Sequence, residues 1–403
     1  MGICSKIKKY IGHRLKDIVC GEVNSSSFVT THSYPIFNIN QNIGVIQKRI
    51  AFVYIRSAWD TPMAMKDVCH ANLVHQVTMI NVLSKLDYCI DVYSCGPEKI
   101  CVNESMYANK YDIIFGFGIQ YIQLCQTNPL ALKILFITEN APWVVRTKYA
   151  ERLSYFYKRH ADVIINDSPR TDFYTDEMYE ISDCGIAITG SYNLNGIQNR
   201  LPKVYRLDVN GLFNNSFDVS MSKDHSITKS HFVWFGSRGF VHKGLDILLD
   251  AFAELPQLSL DVYGIDQCEY SSMKIPENVS VCGYVNVMDD KFVNTVVNRN
   301  TFVVSLSCSE GMQTGITTCM MHGLIPIVTK ECGLDDHDDV LYFDNYDVES
   351  VKATLLSAAQ NPTEQLREKE IRIHTKSIMD FSAERFAVNF ENFLLNYINH
   401  ELS

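Results

Sequence analysis

Ser305-Leu-Ser-Cys-Ser-Glu-Gly-Met-Gln-Thr-Gly-Ile-Thr-Thr-Cys-Met-Met-His-Gly-Leu-Ile-Pro-Ile-Val-Thr329 places one carboxylate and a glycine-containing turn between two β-like runs. Thr301-Phe-Val-Val-Ser-Leu306 is a short apolar run rich in β-branched and aromatic residues, the pattern of a buried strand. Glu310-Gly311 then reads as the exit turn, and Thr314 to His322 as a short helix closed by Gly323. Strand character resumes at Leu324-Ile-Pro-Ile-Val328. The first turn of a helix has unpaired N–H donors and a positive dipole end, so a start at Thr314 suits a diphosphate.

A second piece lies upstream, where the apolar run of His231-Phe-Val-Trp-Phe-Gly-Ser-Arg-Gly-Phe-Val-His-Lys-Gly-Leu245 empties into a loop holding Arg238 and Lys243. Two cations on one loop suit a pyrophosphate. Apolar residues at 245, 248, 249 and 252 make Leu245 to Leu255 an amphipathic helix. Strand, cationic loop and helix form one βα unit.

These two pieces, about 65 residues apart, resemble the C-terminal half of GT-B retaining glycosyltransferases, the glycosyl transferases group 1 or family 4-like proteins. Members of that family read Gly-Arg, a short spacer, Lys-Gly, and later Glu-Gly-x-Gly, with a second Glu after seven intervening residues. Arg238, Lys243, Gly244, Glu310 and Gly311 fall on the pattern, with Ser237 standing between Gly236 and Arg238. The second Gly is Gln313 and the second Glu is Thr318, which puts the family's ribose contact in doubt. The resemblance runs from about Phe232 to Leu341 and is weaker before Leu201.

It implies an α/β protein with the GT-B architecture, two Rossmann-like doubly wound parallel-sheet domains facing each other across a cleft. It also implies a nucleotide-sugar site formed by Gly236, Arg238, Lys243, Tyr284, Val285, Glu310, Gly311, Met312, Gln313, Thr314, Gly315 and Thr318. Glu310 would orient the sugar hydroxyls, although a carboxylate resting on the helix dipole alone is the plainer role. Where the family often carries a sugar-contacting His, after the strand Lys133 to Thr138, this chain reads Glu139-Asn140-Ala141-Pro142. Glu139 is the second catalytic candidate and Asn140 an acceptor contact, unless both simply cap a strand-to-loop junction. Arg56, Trp59 and Asp60 follow the first strand, where they could meet an acceptor or belong to an ordinary loop. His70 and His75 share a helix and read as packing or solvated residues.

The rest of the composition agrees. At 403 residues the chain has a two-domain length, and 46% hydrophobic residues lets each half hold a core. A net charge of −10 argues against a general nucleic-acid binder. No apolar run approaches the roughly 18–20 residues of a membrane span, and no secretory signal opens the chain. Thirteen cysteines without a paired C-x-x-C suit reduced thiols in a cytoplasmic protein, and Cys89, Cys95 and Cys101 lack His partners at metal-ligand spacing. No Asp-x-Asp pair stands where a metal would bridge a diphosphate, and Asp335-Asp336-His337-Asp338-Asp339 reads as a surface run. No cofactor is expected, and catalysis is expected to be metal-independent.

Organisation along the chain begins with a basic amphipathic segment and linker over 1–47. Lys6, Lys8, Lys9, Arg14 and Lys16 alternate there with Ile3, Ile7, Ile11, Leu15 and Ile18. Such a segment suits an anionic membrane surface or a helix docked on the protein. Lys6 at position six breaks the myristoylation motif begun by Met1-Gly2. An acceptor domain is expected over 48–210, with strands at 48–55, 89–93, 111–115, 133–138 and 162–166 and a helix over 146–160. A donor domain follows over 211–380, with strands at 232–235, 258–263, 279–282, 302–306 and 325–329. The last segment, 381–403, is a helix expected to return to the first domain, as the family's does.

The reading is of a hexosyl-transferring enzyme. It would move a sugar from UDP or GDP to a glycan or lipid-linked hydroxyl in surface polysaccharide or glycolipid assembly, working in the cytoplasm or peripherally at the inner membrane face. Two others stay open: a nucleotide-sugar 2-epimerase of the same fold, whose acid and base carboxylates are not evident, and a non-catalytic GT-B partner in which Thr318 marks a decayed site.

Overall fold

A computed structural model describes residues 35–55, 70–95, 109–165, 173–201, 203–221 and 223–398. The basic segment 1–20 and Arg56, Trp59 and Asp60 lie outside these residues.

The first sheet has seven strands: β1 (Ile36–Ile39), β2 (Arg49–Tyr54), β3 (Cys89–Ser94), β4 (Ile113–Gly116), β5 (Leu132–Ile137), β6 (Cys184–Ile188) and β7 (Val204–Leu207). Their order is β1-β3-β2-β4-β5-β6-β7, all parallel except β1, which runs antiparallel along β3. The parallel strands are continuous apolar runs because helices cover both faces. Phe52, Phe115 and Phe136, on β2, β4 and β5, stack at 5.3 Å between successive rings. The crossover helices are α1 (Ala71–Lys85), α2 (Ile119–Thr127), α3 (Pro142–Arg159), α4 (Asp176–Ile181) and α5 (Ser191–Gln198).

The strand expected at 162–166 is a turn and irregular backbone over its described part, and Ile164 is exposed. The position beside β5 is taken by Cys184-Gly-Ile-Ala-Ile188 instead. Its small residues disguise it in the sequence, yet a side chain at Gly185 would come within 2.8 Å of Leu201. The linker before residue 48 contains the added strand β1.

The second sheet holds β8 (His231–Phe235), β9 (Ser259–Tyr263), β10 (Val279–Gly283), β11 (Phe302–Ser305), β12 (Ile325–Val328) and β13 (Leu341–Tyr342). All are parallel, in the order β10-β9-β8-β11-β12-β13. This is the doubly wound order 3-2-1-4-5-6, whose ligand crevice opens where the order reverses, here between β8 and β11. The loops leaving those two strands carry Lys243 and Glu310. Helices α6 (Leu245–Ala253), α7 (Thr314–Met321), α8 (Val348–Ala359) and α9 (Thr363–Asp380) flank the sheet.

Helix α10 (Ala383–Phe393) crosses back to the first domain. Phe386 stacks on His75 of α1 at 4.8 Å, and Phe390 meets Phe115 edge-on at 5.8 Å. His75 is thus a packing residue, and burial holds its pKa down at about 3. The described cysteines are free thiols. Among the described residues no helix is long and apolar enough to cross a membrane.

Candidate active site

Lys243 and Glu310, 67 positions apart in sequence, meet at the switch point of the second sheet, with Lys243 Nζ donating to Glu310 Oε1. Only 3% of the Lys243 side chain and 12% of the Glu310 side chain is exposed. Lys243 reaches this position because Gly244 turns the chain into α6 with φ 69°, a left-handed conformation. A side chain at Gly244 would lie 2.6 Å from the Leu306 carbonyl, so glycine lets the two loops close on each other.

The carboxylate has further support. Ser307 Oγ donates to Glu310 Oε1 at 2.9 Å. The His242 ring, 1% exposed, lies with Nε2 2.6 Å from the Ser309 carbonyl, while the backbone carbonyl of His242 accepts from Cys308 N at 2.8 Å. His242 and Ser307 therefore tie the cationic loop to the Glu310 turn. Sequence reading passed over both, although His242 adjoins Lys243 and Ser307 sits three residues before Glu310.

At this seam the domains touch. A Cβ on Gly311 would stand 2.5 Å from the Thr138 carbonyl and 2.6 Å from that of Ile188, so the turn lies directly on the ends of β5 and β6. Glu139 follows Thr138, half-buried beside the same seam. Asn193 of α5 donates from Nδ2 to the carbonyls of Glu310 and Glu331, each at 3.0 Å. Arg152 of α3, 3% exposed, donates to the Leu306 carbonyl at 2.6 Å. Two hollows lie elsewhere, one of about 270 Å³ between the interdomain linker and Met321, the other of about 420 Å³ between β7 and α10.

The other expected site residues divide by what they touch. Gln313 is the residue just before α7 and is 5% exposed, and its buried Oε1 has no hydrogen-bond partner. Thr314 and Gly315 form the half-buried first turn beside it. Gly236 lies at the end of β8, its N–H donating to the Tyr263 carbonyl. Arg238 is exposed on the loop beyond. Tyr284 is 63% exposed with its hydroxyl on Asp266 at 2.9 Å, and Val285 packs against the core.

Three of the expected site residues are buried and already hydrogen-bonded within the protein. Met312 is buried, and its sulfur accepts from Val209 N at 3.4 Å. Thr318 is buried too, its hydroxyl accepting from Leu212 N at 3.1 Å. Both hydrogen bonds go to the 209–212 linker, which passes over Met312 and over the face of α7 that carries Thr318. Asn140, expected at an acceptor, is 3% exposed, and its Oδ1 accepts from its own neighbour Ala141 N at 2.8 Å just before α3.

The acidic run at 335–339 lies at the surface, and its carboxylates are engaged there. Asp336 accepts from Ser191 N and Ser191 Oγ at 2.9 and 2.7 Å, and Asp335 accepts from Tyr192 N at 2.8 Å. The second domain thereby caps a helix of the first. Asp338 and Asp339 pair with Lys376 and Arg372 of α9. Among the described residues no three His, Cys, Asp or Glu side chains gather as a metal site.

Residues 229–361 match the sequence family described as Glycosyl transferases group 1. No curated protein matches the chain by sequence. Among solved structures, sucrose-phosphate synthase from Thermosynechococcus elongatus superposes with TM-score 0.57 at 12% identity, over 88% of this chain and 99% of that one. The N-terminal domain of Candida albicans trehalose-6-phosphate phosphatase gives 0.53 at 10% identity, over 91% and 100%. The lipopolysaccharide outer core galactosyltransferase WaaB gives 0.51 at 13% identity, over 86% and 99%. At such identities the likeness is one of fold. Residues 229–361 thus match the glycosyl transferases group 1 family, and the chain around them has the two-domain GT-B fold.

Proposed function

We propose that the protein transfers a sugar, with retention of configuration, from a UDP- or GDP-sugar to a hydroxyl of a glycan or lipid-linked acceptor in surface polysaccharide or glycolipid assembly. The observation that carries this reading is the meeting of Lys243 and Glu310 at the switch point between β8 and β11, beside the start of α7. A departing nucleoside diphosphate gains negative charge as the glycosidic bond breaks. A buried ammonium and the free N–H groups of a helix start are suited to stabilise that charge without reorganising. Glu310 holds Lys243 in place until a diphosphate competes for it, and its carboxylate is then available to the sugar hydroxyls. The chemistry asked of these groups is electrostatic, and no metal is required in this reading.

The test is protection against thermal unfolding by a panel of UDP- and GDP-sugars. A rise in Tm with one nucleotide, followed by transfer to a glycan hydroxyl, is the expected result; binding at 100 times Kd adds about 2.7 kcal/mol. No stabilisation by any nucleotide would turn the reading to a decayed, non-catalytic site.

The lipid-linked side of the proposal rests on sequence, since residues 1–20 supply five cations against the single Asp17. Each cation near an anionic surface contributes on the order of 1 kcal/mol before screening. The full chain is expected to pellet with anionic liposomes at low salt and to lose that binding on deletion of residues 2–20. Equal pelleting without them would remove the membrane contact from this segment.

A further inference from the structure

The turn that carries Glu310 is not shaped by its own domain alone. Asn193, 3% exposed on α5 of the first domain, gives Nδ2 to Glu310 O and Glu331 O at 3.0 Å each, with Gly311 O at 3.4 Å. A side-chain amide nitrogen has two hydrogens, so the two carbonyls at 3.0 Å take one each. Glu310 N in turn donates to Glu331 O at 3.1 Å. One amide thus binds the Glu310 turn and the turn at Lys330–Cys332 into a unit. Helix α5 is held in register by Asp335 and Asp336, which lie on the second domain just beyond those turns.

We infer that Asn193 is a positioning residue for Glu310: it fixes the backbone on which the carboxylate stands, and does so only while the domains are docked, so the first domain completes a half-site of the second. The inference rests on the reading of Glu310 as the sugar-facing carboxylate. A cation in this place could also reach two carbonyls but would compete with Lys243 for Glu310, whereas the neutral amide does not. A residue that merely glued the domains would weaken docking without acting through one carboxylate, and the two roles separate by experiment.

Transfer is measured on the full chain for Asn193→Ala and Asn193→Gln, each alone and combined with Glu310→Gln. Asn193→Ala is expected to lower kcat on the order of tenfold with donor KM little changed, the effect of displacing an aligned group by a fraction of an ångström. On the Glu310→Gln background it should cost nothing more, since residues acting through one group are not additive. Asn193→Gln keeps the amide and should recover part of the loss. Losses that multiply in the double variant, or a raised KM at unchanged kcat, would overturn the inference.

Hydrogen exchange across residues 309–313 supplies a readout independent of turnover. Asn193→Ala should speed exchange there while β11 stays protected, and an unchanged turn would overturn the inference even in an active enzyme. Should Asn193→Ala fold poorly, Asn193→Ser retains a shorter donor and is expected to show the same pattern more weakly. If the wild-type chain turns over no nucleotide sugar while the turn loosens as expected, the transferase reading fails and the structural link from Asn193 to the turn stands.

Discussion

The seam beside Glu310 and the rim around it join the same two domains with different chemistry. At the seam the contacts are made to backbone carbonyls: the Asn193 amide on those of Glu310 and Glu331, the Arg152 guanidinium on that of Leu306, and Gly311 pressed against those of Thr138 and Ile188. At the rim they are ionic. Arg159, at the end of α3, pairs with Asp246 and Asp250 of α6, and His160 Nε2 lies 2.9 Å from Asp250. Lys148 reaches Glu331 at 3.5 Å, and Arg206 pairs with Asp336. Charges tolerate small displacements, whereas two hydrogen bonds from one amide do not. The division suggests that the rim supplies adhesion and the seam supplies geometry, leaving Lys243 and Glu310 as an ion pair that an incoming anion can reopen.

The strongest attack on this distinction is made at that ion pair. Glu310→Gln leaves the buried Lys243 ammonium without its counter-charge, and removing one partner of a buried pair costs about 3–5 kcal/mol. Lys243→Ala should cost a similar amount of stability. It should also remove a charge-assisted phosphate contact worth about 1.5–3 kcal/mol, or roughly tenfold to over a hundredfold in nucleotide affinity. Lys243→Met with Glu310→Gln should regain much of the stability of either single variant, because no charge is left unpaired, and should remain inactive. Urea unfolding and calorimetry with UDP and GDP measure both quantities. Unchanged nucleotide affinity in Lys243→Ala would remove the phosphate assignment.

The rim can be sharpened through pH. Burial raises the Asp246 carboxyl from 3.8 to about 6 despite the neighbouring Arg159 and Arg152, and its Oδ1 has no hydrogen-bond partner. The ion pair therefore does not repay the desolvation of this carboxylate. In the folded state Asp246 keeps a proton that the unfolded chain has lost between about pH 4 and 6. Its contribution to stability is present below pH 4 and is lost as pH rises through about 6. A rise from 3.8 to about 6 corresponds to about 3 kcal/mol. The stability of the wild type relative to Asp246→Asn should fall by about that amount between pH 4 and 6 and then level off. A difference independent of pH would mean that Arg159 fully compensates the buried charge.

Much of the second domain is legible in the sequence because its chemistry and its punctuation coincide. Strands β8 and β11 are apolar runs ending in glycine-bearing loops, and those loops hold Lys243 and Glu310. The first domain conceals its part. Asn193 is one asparagine among several polar residues of α5, and only the backbone of the second domain beside it gives it a role. The surroundings of Met312 and Thr318 are equally hidden: their spacing places them at the Glu310 turn and on the helix after it, but linker residues more than 100 positions away hydrogen-bond to them. The acidic run at 335–339 carries the composition of a solvated loop, and its function appears only when Ser191 and Tyr192 bring their N–H groups to it. Contacts within one βα unit leave a local signal, whereas contacts between backbone and a distant side chain leave none.

The smallest effect is expected at that acidic run, and it tests the distinction most finely. Asp335 accepts from Tyr192 N at 2.8 Å and so serves as an N-cap supplied from the opposite domain. Loss of a capping carboxylate costs about 0.5–2 kcal/mol, and loss of its charge alone about 0.3–1 kcal/mol. Asp335→Ala should therefore lower stability in urea by about 1 kcal/mol, and Asp335→Asn by less, since the amide oxygen still accepts. Because the cap belongs to the rim, neither variant should change kcat by more than about twofold, an effect equal to about 0.4 kcal/mol of barrier. Ser191 remains held by Asp336 in both, so α5 keeps its register and Asn193 its carbonyls. If Asp335→Ala instead slowed transfer as strongly as Asn193→Ala, rim and seam would be one cooperative device, with the position of Glu310 set by the whole dock of α5 against the second domain rather than by a single amide.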